Sequence, residues 1–502
     1  MNKSRVCWVL PIVLASTGTA WAAETEIRVY GGVDVSVDYF DTGLKTLPAI
    51  SSNNSYVGFG GSTTLGTDWT AVAQIEGQAD VSATPSVKDT FGFRNSFVGF
   101  VSKSWGSIKA GKNDTPYKSS TAAWDPFANT IGDYNSIFSN TGGDSRVEFE
   151  VRAPHAIWYE SPSLGPFQFN LMWSPGQNLA GDNSDFPLGD NTCSGGTFGS
   201  SGSGDAGTQN NFGSTGNSTA VAAGQAGGVN TPHTATGTGT AGGNTGFATN
   251  VFGSSTIGSG FGECTDGAFG DLYSTSVIFK QGSFIAIAAG ELHHAVNRLS
   301  DVVPVGGAPI DTTGAGSGNL VTTRTEWAAK VGAGYDFGPV KVYAAYEFLR
   351  RTNMPDAFNE RSRDGVYASV TWRATEKDDV SFSYNHAFAT PGNPAVNSTV
   401  NFLATTPLNG QLCPQTNDPT GLSNASAHND DAADQYTIGI RHYFSPAVSV
   451  YAVGSYMHNH TCGHFTLGAG GHGIVDVQRN QFNETFPGKD LAGLSVGTTF
   501  RF

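Results

Sequence analysis

The feature of this sequence that most constrains its fold is an alternation of apolar and polar residues, repeated in many short segments. In residues 147–152 every odd position is apolar and every even position is charged. The same period of two runs through residues 167–173, 327–335 and 340–348. Successive side chains of a β-strand point to opposite faces, so these segments predict strands with one apolar and one polar face. A membrane barrel and a soluble β-sandwich both meet this description.

The connections between these segments favour the barrel. Tight turns such as residues 164–166, 337–339 and 444–447 alternate with long polar connections. Short turns at one end and long loops at the other are the pattern of outer-membrane β-barrels. Sixteen candidate strands lie between residues 26 and 502. We therefore predict an all-β fold, namely a transmembrane antiparallel β-barrel of about 16 strands with short periplasmic turns and long external loops.

The first 22 residues have the features of a signal peptide. Lys3 and Arg5 precede a short apolar core, and residues 20–22 offer a cleavage site of the Ala-x-Ala type. The apolar core is too short for a helix that crosses a bilayer, which needs about 20 apolar residues. The sequence therefore predicts a leader at 1–22 and a mature barrel at 23–502.

The composition agrees with a strand-rich exported protein. Glycine accounts for 66 of 502 residues and charged residues for only 14%, so helix formers are scarce. The formal net charge of −15 argues against a nucleic-acid partner. The sequence has no Gly-x-Ser-x-Gly elbow, no His-Glu-x-x-His motif and no phosphate-binding loop with its lysine. We therefore predict a protein that is not an enzyme and uses no cofactor.

The segment 176–271 differs from the rest of the chain. It contains 25 glycines in 96 residues, seven acidic residues and neither lysine nor arginine. Ordering so much glycine is entropically costly, so we expect one long external loop. A small, independently folded insert is the alternative.

Four cysteines follow the leader, an even number that is compatible with disulfides in an exported protein. From their places in the predicted loops we expect two bonds, Cys193–Cys264 and Cys413–Cys462. An extended strand would also display Cys462 on one face with three histidines suited to zinc or copper: His458, His460 and His464. Such histidines are more often ordinary loop residues, so they are weak candidates and no metal site is predicted.

Several motifs carry a family resemblance. They are RVYGGVD at 28–34, YVGFGG at 56–61, FRNSFVGF at 93–100, AGKNDTPY at 110–117, WDPF at 124–127, IGDYN at 131–135 and IWYESP at 157–162. Together they resemble the trimeric general porins of Gram-negative bacteria. The similarity is dense over residues 26–175 and thinner to Phe502, and it excludes 176–271.

The resemblance implies a homotrimer whose third external loop, at residues 115–145, folds inward and narrows the pore. It further implies that acidic side chains on this loop face basic side chains on the barrel wall. By motif position Arg94 and Arg152 match two wall arginines, and Asp125 and Asp133 are the expected loop acids. Arg146 shares the alternation of Arg152 and is expected to face the lumen. Gly32 and Tyr56 depart from the pattern, because some relatives carry a basic residue there, so we expect a thinner positive cluster.

The last strand alternates up to a terminal phenylalanine, Phe502. In an exported chain this ending resembles the signal read by the machinery that assembles outer-membrane barrels. The expected partners are that barrel assembly machinery, outer-membrane lipid and lipopolysaccharide, and small hydrophilic solutes.

The function expected from these observations is that of a porin in the cell outer membrane of a Gram-negative bacterium. It would form a water-filled channel for passive diffusion of small hydrophilic solutes and ions. Two alternatives remain open. One is a substrate-selective porin, and the other is a surface adhesin that is anchored by the barrel and acts through residues 176–271.

Overall fold

The computed structural model describes residues 25–41, 46–79, 81–82, 91–92, 94–140, 149–175, 271–296, 304–305, 308–309, 324–352, 359, 362–391, 430–461, 463, 465–468 and 488–502. The predicted leader at 1–22 lies outside these residues, as does the glycine-rich segment up to residue 270. None of the helices among the described residues has the length and apolar character needed to span a membrane.

The described residues are almost entirely β-strand. The strands are β1 (Thr25–Asp41), β2 (Thr46–Ser52), β3 (Tyr56–Leu65), β4 (Trp69–Gln78), β5 (Ser96–Ser102), β6 (Gly106–Asp114), β7 (Arg152–Glu160), β8 (Phe167–Pro175), β9 (Asp271–Gln281), β10 (Phe284–Val296), β11 (Pro304–Val305), β12 (Ala308–Pro309), β13 (Arg324–Asp336), β14 (Val340–Arg351), β15 (Arg363–Arg373), β16 (Asp378–Ala387), β17 (Ala433–Ser445), β18 (Val448–Asn459) and β19 (Leu491–Arg501). The pair β11 and β12 forms a separate short hairpin.

The other strands form one antiparallel sheet that closes on itself. Each strand pairs with its neighbours in the chain, and β19 pairs with β1, where Val33 lies opposite Phe500 and Tyr39 opposite Leu494. The first half of β1 pairs with β3 and the second half with β2, so β2 and β3 make one interrupted strand. Counted in this way, the barrel has 16 strands, which confirms the predicted fold.

Short turns join the strands at one end of the barrel, hereafter the turn end. The strands that flank the long connections end at the other, hereafter the loop end. Gly165 (φ 64°) and Gly338 (φ 91°) occupy two of the predicted tight turns. A positive φ is strained for most residues but not for glycine, which explains glycine at these turns. The N-terminus of β1 lies at the turn end, so β1 runs toward the loop end.

Alternation along each strand gives the barrel an apolar outer face and a largely polar inner face. In β18, Val450 and Tyr456 are exposed on the outside, whereas Tyr451 and Ser455 are buried inside. Apolar side chains cover the outside of other strands in the same way, including Ile27, Val29, Val98, Leu171, Trp173, Val331, Ile438, Leu494 and Val496. This outer surface matches the requirement of a strand that faces lipid.

One alternating segment does not form the expected strand. The pattern of residues 147–152 predicted a strand beginning at 147, but β7 begins at Arg152. Phe149 is fully buried and stacks on His293 of β10 at a ring distance of 4.7 Å. Glu150 has a φ of 61° and points toward β13. The prediction was wrong here because Phe149 gains an apolar contact inside the barrel instead of facing lipid.

Candidate pore constriction

The described residues between β6 and β7, namely 115–140 and 149–151, lie inside the barrel and are hereafter the inward loop. It begins with helix α1 (Pro116–Thr121), where the Thr115 hydroxyl accepts a hydrogen bond from the Lys118 amide at 3.3 Å. Two 3₁₀ turns follow, at Ala122–Trp124 and Tyr134–Ser136. The Tyr117 amide donates to the Ser274 hydroxyl of β9 at 3.0 Å, which fixes the start of the loop to the wall.

Apolar side chains of the inward loop pack against glycines on the inner face of the barrel. A Cβ atom built on each glycine would lie too close to the loop: 2.5 Å from Trp124 at Gly332, 2.8 Å from Phe127 at Gly439 and 3.0 Å from Ile131 at Gly493. The Trp124 ring also stacks on Tyr343 at 5.1 Å. These glycines on β13, β17 and β19 let the loop lie close against one side of the wall.

A buried ion pair joins the end of the inward loop to β13. The Lys330 ammonium is fully buried, pairs with the Glu150 carboxylate and donates to the Thr121 hydroxyl at 2.6 Å. Glu150 also accepts hydrogen bonds from the Tyr134 hydroxyl at 2.6 Å and from Asn135 Nδ2 at 2.9 Å. Taking both charges out of water is costly, so the additional hydrogen bonds are needed to stabilise the pair.

A second carboxylate on the neighbouring strand holds the middle of the loop. Glu347 of β14 accepts a hydrogen bond from the Ser139 amide at 2.7 Å and from the Tyr117 hydroxyl at 3.2 Å. Residues 139 and 117 belong to distant parts of the loop, so one wall side chain sets their separation. Nothing in the alternation of β14 distinguished Glu347 from other lumen-facing residues.

The two predicted loop acids are buried within the loop itself. Asp125 is 7% exposed and accepts hydrogen bonds from the amides of Phe127 (2.9 Å) and Tyr134 (3.0 Å). Asp133 is 3% exposed and accepts from the amides of Asn129 (2.6 Å) and Asn135 (2.9 Å). These contacts correct the expectation that both acids face the wall arginines. Their oxygens are used by loop amides that lack other partners, so these carboxylates shape the loop.

Arg94 lies on the barrel wall, just before β5. Its guanidinium lies 3.7 Å from the Glu76 carboxylate, donates to Asn54 Oδ1 and covers the Tyr56 ring at 4.8 Å. Asn54 donates in turn to Asn129 Oδ1 of the inward loop at 2.8 Å. Asn54 lies in the break between β2 and β3 with a φ of 52°, a conformation that asparagine tolerates.

Arg152 is the first residue of β7 and has its own acidic partner. Its guanidinium lies 3.2 Å from an Asp114 oxygen and donates to Asn95 Oδ1 at 2.6 Å. Asp114 also lies 3.3 Å from the Lys118 ammonium. Sequence reasoning missed Asp114 and Glu76 because it assigned the acids to the inward loop, whereas both lie on wall strands next to the arginines.

Several predicted site residues lie outside the described residues. They are Arg146, His464 and the four cysteines Cys193, Cys264, Cys413 and Cys462. Phe502 is described, and its backbone closes the barrel through two hydrogen bonds of 3.1 Å with Gly31. Its ring stacks on Phe500 at 6.1 Å.

Two of the candidate metal ligands contact carboxylates at the loop end. His458 Nδ1 lies 2.8 Å from Asp490, and His460 contacts Asp430 through Nδ1 (2.7 Å) and Asp434 through Nε2 (3.2 Å). Within the part of the chain that the structure describes, no three His, Cys, Asp or Glu residues are grouped to hold a metal ion. The contacts of His460 are those of a protonated imidazole between two acids.

These contacts make the loop end sensitive to pH. Partial burial lowers the pKa of His460, but the hydrogen bonds to Asp430 and Asp434 outweigh it and raise the pKa above its usual value. The contact is therefore fully stabilising below about pH 6.5 and is lost as the pH rises through the raised value. We expect the His460 amide, which donates to the Ala432 carbonyl, to lose protection from hydrogen exchange as the pH rises above about 6.5, after correction for intrinsic rates. His460→Ala should remove this pH dependence. The more exposed His458, changed to alanine, is the control and should retain it.

The closed barrel, its apolar outer face and the loop held in its lumen define an outer-membrane β-barrel of the porin class. A family model described as Gram-negative porin matches residues 11–270, more than half of the chain. An outer membrane porin protein of Bordetella pertussis is 27% identical over 182 residues, which cover 32% of this chain and 46% of that protein. The match therefore spans about half the length of this curated relative.

Two solved structures share the fold. The anion-selective porin from Comamonas acidovorans has a TM-score of 0.58 at 14% identity, covering 95% of this chain and 100% of that one. OmpT of Vibrio cholerae, an outer membrane protein solved in a trimer form, has a TM-score of 0.50 at 11% identity, covering 95% and 99%. At these identities the likeness concerns the fold alone. The chain belongs to the Gram-negative porin family and is a protein of the outer membrane.

Proposed function

We propose that this protein forms a water-filled channel through which small hydrophilic solutes and ions diffuse passively across the outer membrane. The observation that carries the proposal is the inward loop, which is held inside the lumen by contacts with several wall strands and lies next to Arg94 through the Asn54–Asn129 hydrogen bond. A loop held there narrows the passage without closing the barrel. The other proposed features are removal of the leader at 1–22 and an external loop at 176–271.

The charges at the proposed constriction are arranged differently from the family expectation. Arg94 and Arg152 each have a carboxylate partner on the wall, within 4 Å. We propose that these pairs, Arg94 with Glu76 and Arg152 with Asp114, set the electrostatic field of the pore. Arg146 is proposed to add to them. Asp125 and Asp133 act indirectly, because they fix the shape of the loop.

Replacing Arg94 or Arg152 with serine tests this assignment. Each change leaves an acidic partner without its positive charge in a narrow space, where salt screens charges poorly. We expect the reversal potential in a salt gradient across a planar bilayer to shift toward cations, with conductance equal or slightly higher. The size of the shift should exceed that of any change at a solvent-exposed pair.

Arg373 provides the matched control. It also pairs with an aspartate, Asp379 at 3.2 Å, but its side chain is 59% exposed near the turn end. Arg373→Ser should therefore shift the reversal potential much less than Arg94→Ser. Equal reversal potentials in all three variants would reject the constriction assignment and leave the barrel unaffected. A protein that conducts no ions in the bilayer would reject the channel itself.

We propose that the protein assembles as a homotrimer in contact with lipid and lipopolysaccharide. The trimer form of the Vibrio cholerae protein, which has the same fold, supports the homotrimer. The apolar outer face supports the contact with lipid. Cross-linking of the protein in native outer membranes, followed by mass measurement, tests the trimer.

Phe502 is proposed to be the signal read by the barrel assembly machinery. Since Phe502 also closes the sheet with Gly31 and stacks on Phe500, its replacement with aspartate removes both a signal and an apolar contact. We expect Phe502→Asp to lower the amount of folded barrel in the outer membrane several-fold, as seen by heat-modifiable mobility on a gel. Phe444→Asp, an exposed aromatic residue at the same end, should have a smaller effect. Equal losses in the two variants would argue against a terminal signal.

A further inference from the structure

We infer that the wall of β1 and β3 carries a binding track for planar aromatic anions, such as arene carboxylates. The track consists of Arg28, Tyr30, Tyr56 and Arg94, in that order from the turn end toward the constriction. The inference rests on the proposed channel function and names a class of solute that the channel would favour.

The four side chains form an unbroken series of contacts. The Arg28 guanidinium lies 5.8 Å from the centre of the Tyr30 ring, and the Arg94 guanidinium lies 4.8 Å from the centre of the Tyr56 ring. The two tyrosine rings meet edge to face at 6.4 Å. The four groups therefore follow one another along the lumen wall in the order cation, ring, ring, cation.

Glycines beneath the track hold its side chains flat against the wall. A Cβ atom at Gly58 would lie 2.5 Å from the Tyr30 ring, and one at Gly60 would lie 2.7 Å from Arg28 Nε. Gly58 is paired with Tyr30 and Gly60 with Arg28 across β1 and β3. One face of the Tyr30 ring and of the Arg28 side chain thus lies on backbone, and the other remains toward the lumen. Arg28 is exposed, and both tyrosines are partly exposed.

Among the described residues the two arginines of the track have one ion-pair partner, Glu76, and Glu26 lies two residues before Arg28 on the same face of β1. Glu76 accepts a hydrogen bond from the Tyr30 hydroxyl at 2.8 Å and lies 3.7 Å from Arg94. It therefore orients Tyr30 and compensates one of the two arginines. Arg28 provides the charge that remains, at the end of the track nearest the turn end.

This set of groups fits a planar anion better than a simple ion or a neutral ring. A guanidinium group binds a carboxylate through two parallel hydrogen bonds and also stacks on aromatic faces. Tyrosine rings add stacking and edge contacts to a flat solute. A small inorganic anion would use only the charge, and a neutral arene would use only the rings. An arene carboxylate uses both.

Gly32 makes room for the track. It lies opposite Tyr56 in the pairing of β1 with β3. A Cβ atom at Gly32 would lie 3.3 Å from the Tyr56 ring, so the glycine leaves room for the tyrosine to lie along the wall.

The experiment compares three solutes of similar size as blockers of ion current through the full-length protein in a planar bilayer. They are benzoate (flat and anionic), cyclohexanecarboxylate (anionic but not flat) and benzamide (flat but neutral). We expect benzoate to reduce the current at a concentration about two- to fivefold lower than either of the others, the size of a cation–π contribution at a partly exposed site. Equal potency of benzoate and cyclohexanecarboxylate would overturn the inference.

Variants assign the effect to the track. The double change Tyr30→Leu with Tyr56→Leu should abolish the preference of benzoate over cyclohexanecarboxylate, and Glu76→Gln should strengthen benzoate block. Tyr39→Leu is the matched control, because Tyr39 lies on the outer face of the same strand and is 58% exposed there. A preference that survives the double change would also overturn the inference.

The two proposals fail in different ways. If the protein conducts ions and shows no aromatic preference, the track is wrong and the channel stands. If it does not conduct, the channel is wrong, and binding of benzoate to the folded barrel in detergent is then measured by saturation-transfer NMR. Benzoate binding that is lost in the double variant would still support the track. Equal binding of benzoate to the unchanged protein and to the double variant would reject it.

Discussion

Replacement of Lys330 with methionine is expected to lower the free energy of unfolding by about 3–5 kcal/mol, because it leaves the buried Glu150 carboxylate without its cation. The Glu150 side chain is 1% exposed, so water cannot replace the lost partner while the loop stays in place. The end of the inward loop should therefore detach from β13. We expect larger fluctuations of the single-channel current, together with a lower urea midpoint for the loss of tryptophan fluorescence in detergent.

The double variant Lys330→Met with Glu150→Gln separates the charge from the packing. Removing the second charge should recover part of the lost stability, since the uncompensated carboxylate is gone. Lys341→Met is the control, because its pair with Asp336 at 3.7 Å is about 43% exposed, and such pairs contribute at most about 1 kcal/mol. If Lys330→Met and Lys341→Met gave equal midpoints and equal current noise, the buried pair would not be what holds the loop.

Replacement of Gly332 with alanine is expected to move the inward loop away from the wall. The added Cβ would lie 2.5 Å from the Trp124 ring and 2.8 Å from the Ala344 carbonyl oxygen, and neither group has free space. Trp124 is held against Tyr343, so the loop must shift toward the centre of the lumen. Overpacking of this kind costs about 1–3 kcal/mol. Conductance should fall, in contrast to the larger fluctuations expected for Lys330→Met.

The other glycines of the wall give a graded series. The Cβ contact lengthens from 2.5 Å at Gly332 to 2.8 Å at Gly439 and 3.0 Å at Gly493. Gly290 lies on the outer face of β10, where the nearest atom is 3.7 Å away, and serves as the control. The loss of conductance on substitution with alanine should decrease in the same order and be absent at Gly290. In the Gly332→Ala background, Trp124→Leu should restore part of the conductance. If the conductances of the four variants did not follow this order, packing against the loop would not be the cause.

Individual residues show how far the alternating pattern can be trusted. It located β14 and its two faces, because each residue there is either at the lipid surface or in the lumen. It failed at Phe149, which is apolar and in register for the outer face but lies inside the barrel against His293. Hydrophobicity favours removal of Phe149 from water. Lipid outside the barrel and packed side chains inside it both exclude water. The pattern alone therefore cannot choose between lipid and the interior of the barrel.

Motif position assigned two arginines to the wall and two acids to the inward loop. Arg152 begins β7 and Arg94 lies two residues before β5, so the neighbouring strand geometry restricts the direction of each side chain. Asp125 and Asp133 lie in an irregular loop, where backbone amides without partners compete for any nearby carboxylate. Both acids satisfy loop amides instead of facing the arginines. Local hydrogen bonding thus decided the direction of their side chains.

By itself, the sequence determined the class of fold, the number of strands and the arrangement of turns and loops. These properties depend on period-two alternation and on turn residues, which are local and can be read along the chain. Only the tertiary structure decided which residues hold the inward loop and which acids accompany the arginines. Lys330 is 180 residues from Glu150, and Gly439 is packed against Phe127. Such contacts exist only after the sheet has closed, because closure brings strands distant in sequence to the same side of one lumen.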